Sequence, residues 1–416
     1  MKKKSGLTRL LFGLVMIMLL ISCRGRSATG TVSTSGPIKM AAFFGYTGAN
    51  STTAGPYTQG IEVMVDIINE EGGIRSLGGR PIEIVRADNQ SDESLSRTIA
   101  ERVLADRDIM FAIGAGSTAL LLPMLPVTER LQVPILTSNS GNSITESGYS
   151  YVFRTCNQIR FINETRVAML QWLAAERGYD LGRIGMLYLD NDFGQSQARG
   201  AAEFYEAVGR IAIMEAYPQG ISDLSTQITK LMAAGIEVLD FVGDLQECRL
   251  LFNTLDAMNY HPLVVGGGSG LSQIEFANAM GDAAIGIIGA SNFTVDQSNI
   301  VNDPELTKPI LIYLERYGEY PDENGLLGMA QMHVARNALE SLTELTRENL
   351  RNAISRSVTK SFYFTGPIQF DETGNNNTAR WVMTQWMKNP QNGKYYMGTI
   401  FPQEAGTTGL IERSRR

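Results

Sequence analysis

Apolar positions along this chain alternate between two rhythms. Ile38 to Phe44 is an apolar run of strand length broken only by Lys39, and Tyr57 to Glu71 then places Ile61, Met64, Val65 and Ile68 at i, i+3, i+4 and i+7. The first pattern predicts a buried strand and the second an amphipathic helix, which Gly72-Gly73 ends. Ile82 to Ala87 predicts a second strand, and Leu95, Ile99 and Val103 mark the next helical face. Met110 to Ile113, Ser117 to Leu131 and Pro134 to Thr137 follow as strand, helix and strand, and helical spacing resumes from Ile159 to Arg177.

After Arg154 the rhythm starts again. Strands are expected at Ile184 to Tyr188, Ile211 to Ala216, Val238 to Val242 and Leu263 to Val265, with helices near Gln195 to Val208, Asp223 to Ala234 and Leu245 to Met258. Two βα series predict an α/β protein of two lobes, each with a mostly parallel sheet covered by helices. No long low-complexity linker separates the series, so a cleft between adjacent lobes is expected. In such sheets ligands bind where strands turn into helices at their carboxyl ends.

The first residues break this pattern. Lys2, Lys3, Lys4 and Arg9 precede the apolar stretch Leu10 to Ile21, which is too short for the roughly 20 apolar residues of a membrane span. This is the pattern of a signal peptide over residues 1–22. Leu20-Ile21-Ser22-Cys23 resembles a bacterial lipobox, which makes Cys23 the lipidated first residue of the mature chain, and residues 23–36, rich in Ser, Thr and Gly, its tether. Loss of four basic residues moves the formal charge from −7 to −11, so the exported body is acidic and carries no electrostatic footprint for nucleic acid. Of the three cysteines only Cys156 and Cys248 remain, and Cys248 lies in an apolar helical run, which favours buried free thiols over a disulfide. The two histidines, His261 and His333, are far apart, so no metal and no cofactor is expected.

The loop Ile113-Gly114-Ala115-Gly116-Ser117-Thr118-Ala119 ends a strand and opens a helix. Its glycines admit close backbone approach, and Ser117 and Thr118 bring hydroxyls and free N–H groups to a helix start, a seat for an anion. Thr137, Ser138, Asn139 and Ser140 form a second polar strand end beside it. Together they can hold one carboxylate through neutral donors, without an arginine. The first loop also matches the dinucleotide pattern G-x-G-x-x-A, but the match follows a third strand and the next strand ends without an acid. No G-x-S-x-G or H-E-x-x-H motif occurs, and an enzyme is not expected.

Several segments, in order and spacing, resemble the type I periplasmic solute-binding proteins of the branched-chain amino acid family: GIEVMVDIINEEGGI (60–74), GRPIEIVRADNQS (79–91), PVTERLQVP (126–134), YVFRT (151–155), LYLDNDFGQ (187–195) and GPIQFDETG (366–374). The resemblance implies two Rossmann-like lobes joined by a three-crossing hinge: lobe 1 from 37–156 plus 287–376, and lobe 2 from 157–286 plus 377–416. It implies an extracytoplasmic receptor working with an ABC permease and ATPase, with the ligand carboxylate held by Ser117, Thr118 and the Ser138, Asn139, Ser140 loop. Tyr46, after the first strand, is a further candidate for lining the cleft.

The departures from the family pattern bear on the ligand. Where an aromatic residue of the second lobe is often Tyr, this chain has Phe193. The glycine-rich run Gly266 to Gly270 has no acid where one often meets the ligand ammonium, and Asp244 is the substitute, its other role being a helix N-cap. A small amino acid-like ligand is expected. The alternatives are an amide, urea or aromatic acid on the same fold, or a sensory lipoprotein that reports its ligand to a membrane partner.

Overall fold

The computed structural model describes residues 36–411, apart from 142, 179–180, 208–210, 267–268 and 408. The expected signal peptide, Cys23 and nearly all of the tether lie outside the described residues. The first series runs β1 (Ile38–Phe44), α1 (Ser51–Glu70), β2 (Ile82–Asp88), α2 (Glu93–Leu104), β3 (Ile109–Gly114), α3 (Thr118–Leu121), α4 (Leu125–Leu131), β4 (Ile135–Thr137), α5 (Ser143–Glu146) and β5 (Val152–Arg154). The second runs α6 (Ile159–Arg177), β6 (Ile184–Leu189), α7 (Asp192–Ala207), β7 (Ile211–Tyr217), α8 (Ser225–Ala233), β8 (Val238–Val242), α9 (Leu245–Ala257), β9 (Leu263–Gly266), α10 (Ile274–Met280) and β10 (Ile288–Ser291). The chain closes with α11 (Ser298–Val301), α12 (Pro304–Tyr317), α13 (Glu323–Glu340), α14 (Arg347–Arg356), β11 (Val358–Thr359), β12 (Ile368–Gln369), β13 (Val382–Lys388) and β14 (Tyr395–Phe401).

The first five strands form one parallel sheet in the order β2-β1-β3-β4-β5. The second sheet reads β7-β6-β8-β9-β10 in its parallel part, the same order, and is extended by the antiparallel pair β13-β14. In each lobe the winding direction therefore reverses between the first strand and the third, at β1/β3 and at β6/β8. Strand periodicity places the core: Met186 packs on one face of the second sheet with Met169 and Ile288, and its neighbour Leu187 on the other with Phe241 and Leu251.

Helices α12 to α14 return to the first lobe. Tyr313 donates to Gln59 at 2.7 Å, and the ion pairs Arg316–Asp66 and Arg336–Glu71 tie α12 and α13 to α1 and the turn after it. Arg347 donates to the carbonyls of Leu104, Asp106, Ile109 and Leu131, collecting the ends of α2 and α4 around the start of β3. One lobe boundary differs from the expectation. β10 pairs with β9 and β13 inside the second sheet, and Thr294 and Asp296 then bond to Thr399 of β14, so the chain is still held by that lobe past 287.

Among the described residues the chain passes between the two sheets three times, after β5, after β10 and before β13. The first two leave from strand carboxyl ends, which brings the carboxyl edges of both sheets to the hinge. Cys156 and Cys248 are both buried and free, as expected from the sequence. Among the described residues no helix is long and apolar enough to cross a membrane, and no group of His, Cys, Asp and Glu could hold a metal ion.

Candidate functional site

Where the winding of an open α/β sheet reverses, adjacent loops splay apart and leave a crevice. In the first lobe this point lies between the loop carrying Tyr46 and the loop carrying Ser117. In the second it lies between the Asp190-Asn191 turn and the Gly243-Asp244 turn.

Ser117 has extended backbone (φ −144°, ψ 155°), and its Oγ accepts the Leu120 N–H at 3.3 Å as the N-cap of α3. Ser117 and Thr118 stay partly accessible. The two polar loops are joined, since Asn139 Nδ2 donates to the Ser117 carbonyl at 3.0 Å. Gly141 lies so close to Thr118 that a Cβ on it would sit 2.7 Å from Thr118 Cγ2, which only glycine allows. Ser138 is turned inward: its Oγ pairs with Thr155 Oγ1 at 2.9 Å and accepts Gln331 Nε2 at 3.0 Å. Tyr57 is buried beside Ser138 and Gln331, and burial drives its phenol well above the usual range. Ser138 and Asn139 thus shape the loop through these bonds, and Ser140, like Ser138, stays partly accessible.

Arg154, Thr155 and Gln331 hold this loop, and the sequence did not mark them as supports of a ligand loop. Only YVFRT flagged two of them, because the contacts join residues far apart in the chain. Tyr46 packs elsewhere. Thr58 donates to its phenol oxygen at 3.3 Å, Arg86 lies 5.8 Å from its ring centre, and burial pushes its pKa up to about 12. These are contacts with α1 and β2.

The second-lobe face is simpler. Asn191 Oδ1 accepts the Gly194 N–H at 2.9 Å, and Asp190 accepts from Gln195 Nε2 at 2.7 Å, so the turn before α7 caps itself. Phe193 begins α7, and its side chain lies outside the described residues. Asp244 occupies the N-cap position of α9 and is exposed, and its side chain makes no cap hydrogen bond. Gly270 packs against its backbone: a Cβ there would lie 2.5 Å from the Asp244 carbonyl carbon. Beneath this face the fully buried Arg166 and Asp240 pair at 2.6 Å, with Tyr205 donating to the same carboxylate oxygen at 2.9 Å.

The hinge carries its own carboxylates. Glu323, at the start of α13, accepts the Asn292 backbone N–H at 2.8 Å and its side-chain amide at 2.7 Å, and Ser272 Oγ at 3.2 Å. Asp322 caps Gly325 at 3.1 Å and accepts the Ile274 N–H from the second lobe at 3.4 Å. Burial, reinforced by Glu275, pushes Asp322 up to about 7.

Two α/β lobes of matching strand order, joined by three crossings at their carboxyl edges, define a hinged two-lobe ligand-binding fold. The chain belongs to the periplasmic binding protein family, whose sequence profile matches residues 37–393. A Brucella abortus protein named Leu/Ile/Val-binding protein homolog 7 is 25% identical over 391 residues, 92% of this chain and 95% of that protein. The branched-chain amino acid transporter substrate-binding protein LivJ from Streptococcus pneumoniae, solved with isoleucine, superposes with a TM-score of 0.72 at 21% identity, covering 86% of this chain and 97% of that one. A solute-binding protein of an ABC transporter from Rhodopseudomonas palustris, solved with 3,4-dihydroxybenzoic acid, gives 0.73 at 17% identity, over 91% and 99%. These relatives are substrate-binding proteins, not enzymes.

Proposed function

We propose that the chain is the extracytoplasmic substrate-binding lipoprotein of an ABC importer, closing two lobes on a small amino acid-like ligand and handing it to a membrane permease driven by an ATPase. The carrying observation is the paired loop at the first-lobe switch point, where Ser117 and Thr118 stand partly accessible beside a second loop ending in Ser140. Neutral donors at a helix start suit a carboxylate, and the exposed Asp244 across the cleft suits an ammonium group. The names of the Brucella and Streptococcus relatives support an aliphatic amino acid. Lipidation at Cys23 rests on the lipobox pattern.

A second reading, an aromatic acid receptor, is favoured by the glycine-rich run without an acid and by the ligand of the Rhodopseudomonas relative. It needs the carboxylate site and no ammonium partner. A thermal-shift panel of L-amino acids, amides and aromatic acids on the exported body, followed by titration calorimetry, separates the two. A true ligand at a hundred times its Kd adds about 2.7 kcal/mol of stability. An amino acid hit supports the first reading and an aromatic acid hit the second, and a panel without a hit counts against both.

A further inference from the structure

Arg154 ends β5 and is fully buried. Its guanidinium donates to the carbonyls of Ser140 at 3.1 Å and Gly141 at 2.7 Å, to the Thr145 hydroxyl at 2.6 Å, and through Nε to Asn375 Oδ1 at 2.9 Å. All four acceptors are neutral. Glu146 and Asp371 are the carboxylates that act on it through space, and neither is among its hydrogen-bond partners. Burial lowers its pKa, yet an arginine in a protein keeps its proton, so a full positive charge sits directly behind the Ser138–Gly141 loop.

That charge acts through the peptide it grips. The Ser140–Gly141 bond is trans, so its C=O and N–H point in opposite directions. With the carbonyl drawn onto the guanidinium, the Gly141 N–H faces away from it, and among the described residues no hydrogen bond takes that N–H. Gly141 is also the residue pressed against Thr118. A buried cation, a polarised peptide and the Ser117-Thr118 helix start therefore lie in one continuous assembly.

We propose that Arg154 is a positioning residue that makes the first-lobe site selective for anionic ligands, orienting and polarising the Ser140–Gly141 peptide from behind without touching the ligand. This rests on the reading of that cleft as the binding site. A direct ion pair would hold a carboxylate through the guanidinium fork itself. Here the fork is spent on the loop, and the ligand meets neutral donors in the field of a cation one peptide away. The bond to Asn375 ties the same arginine to the segment entering the third crossing, so the loop keeps its place as the lobes move.

The test uses the purified exported body with L-leucine and L-leucinamide, which share side chain and ammonium and differ in the carboxylate charge. Arg154→Gln is expected to weaken leucine binding by roughly tenfold to a hundredfold while leucinamide changes by less than about threefold. Arg154→Lys, which retains the charge, is expected to keep most of the preference for leucine. An arginine that only braces the loop would weaken both probes alike, or neither, and either result overturns the proposal. If the wild-type protein binds neither probe, the leucine reading has failed, and the ligand-free protein decides the matter by NMR. The Gly141 amide proton moves upfield in Arg154→Gln and not in Arg154→Lys if the guanidinium polarises its peptide; the same position in both overturns it.

Discussion

The parallel strands of the two lobes share one order, yet the loops at their two switch points are held very differently. On the first lobe every segment near the expected ligand carboxylate is braced from behind, by Arg154 under Ser140 and Gly141, by Thr155 and Gln331 on Ser138, and by Asn139 on Ser117. On the second, the Asp190-Asn191 turn closes on its own helix, and Asp244 stands exposed at a helix start that it does not cap. The second lobe places its buried charge in the Arg166–Asp240 pair between α6 and β8. On the proposed reading the ligand meets the braced side first and gains its second-lobe contacts as the lobes close.

The contrast between the two buried arginines can be broken by substitution. Arg166→Met leaves Asp240 as a buried carboxylate without its cation and is expected to lower stability by about 3–5 kcal/mol in urea denaturation. Adding Asp240→Leu is expected to recover much of that loss, because the unpaired charge goes with it. Ligand affinity of the folded variant stays near wild type, in contrast to Arg154→Gln. A lasting loss of affinity in the double variant would show that the second-lobe pair also serves the site.

The hinge supplies a smaller, pH-dependent effect. In the folded protein Asp322 keeps its proton to about pH 7, against an ordinary value of 3.8, because it is buried beside Glu275. The folded pKa is raised, so the stabilisation is fully present below the unfolded pKa and is lost as pH rises through about 7. Asp322→Asn retains the cap on Gly325 and removes the titration. It is expected to flatten the stability profile between pH 4 and pH 8 by on the order of 2–4 kcal/mol relative to wild type, measured by denaturation at each pH. Parallel profiles for the two proteins would show that Asp322 titrates normally.

Both lobes were readable in outline because buried parallel strands are short apolar runs set between helical periods. Strand β5 escaped because it has only three residues and ends in Arg154, whose burial depends on partners as distant as Asn375. β10 escaped because Gly289 and Ser291 leave little apolar signal in four residues. In β13 the buried polar residues Thr384 and Gln385 interrupt the pattern, and Gln385 is satisfied by the Gly286 and Ile411 carbonyls, which no local rule anticipates. At the candidate site, the helix start at Ser117 was legible because it is local. The inward turn of Ser138 and the packing of Tyr46 on α1 depend on tertiary neighbours, as does the cation behind a carboxylate site first read as needing no arginine.

The central claim is that the first lobe holds the ligand and the second closes on it. Titration calorimetry of the best ligand against Ser117→Val/Thr118→Val and against Asp244→Ala tests this most directly. Two lost hydrogen bonds to a charged group predict a weakening of about a hundredfold or more for the first variant, and one exposed ion pair predicts about tenfold or less for the second. A reversed order, with Asp244→Ala abolishing binding while the Ser117/Thr118 variant binds as wild type, would contradict the account.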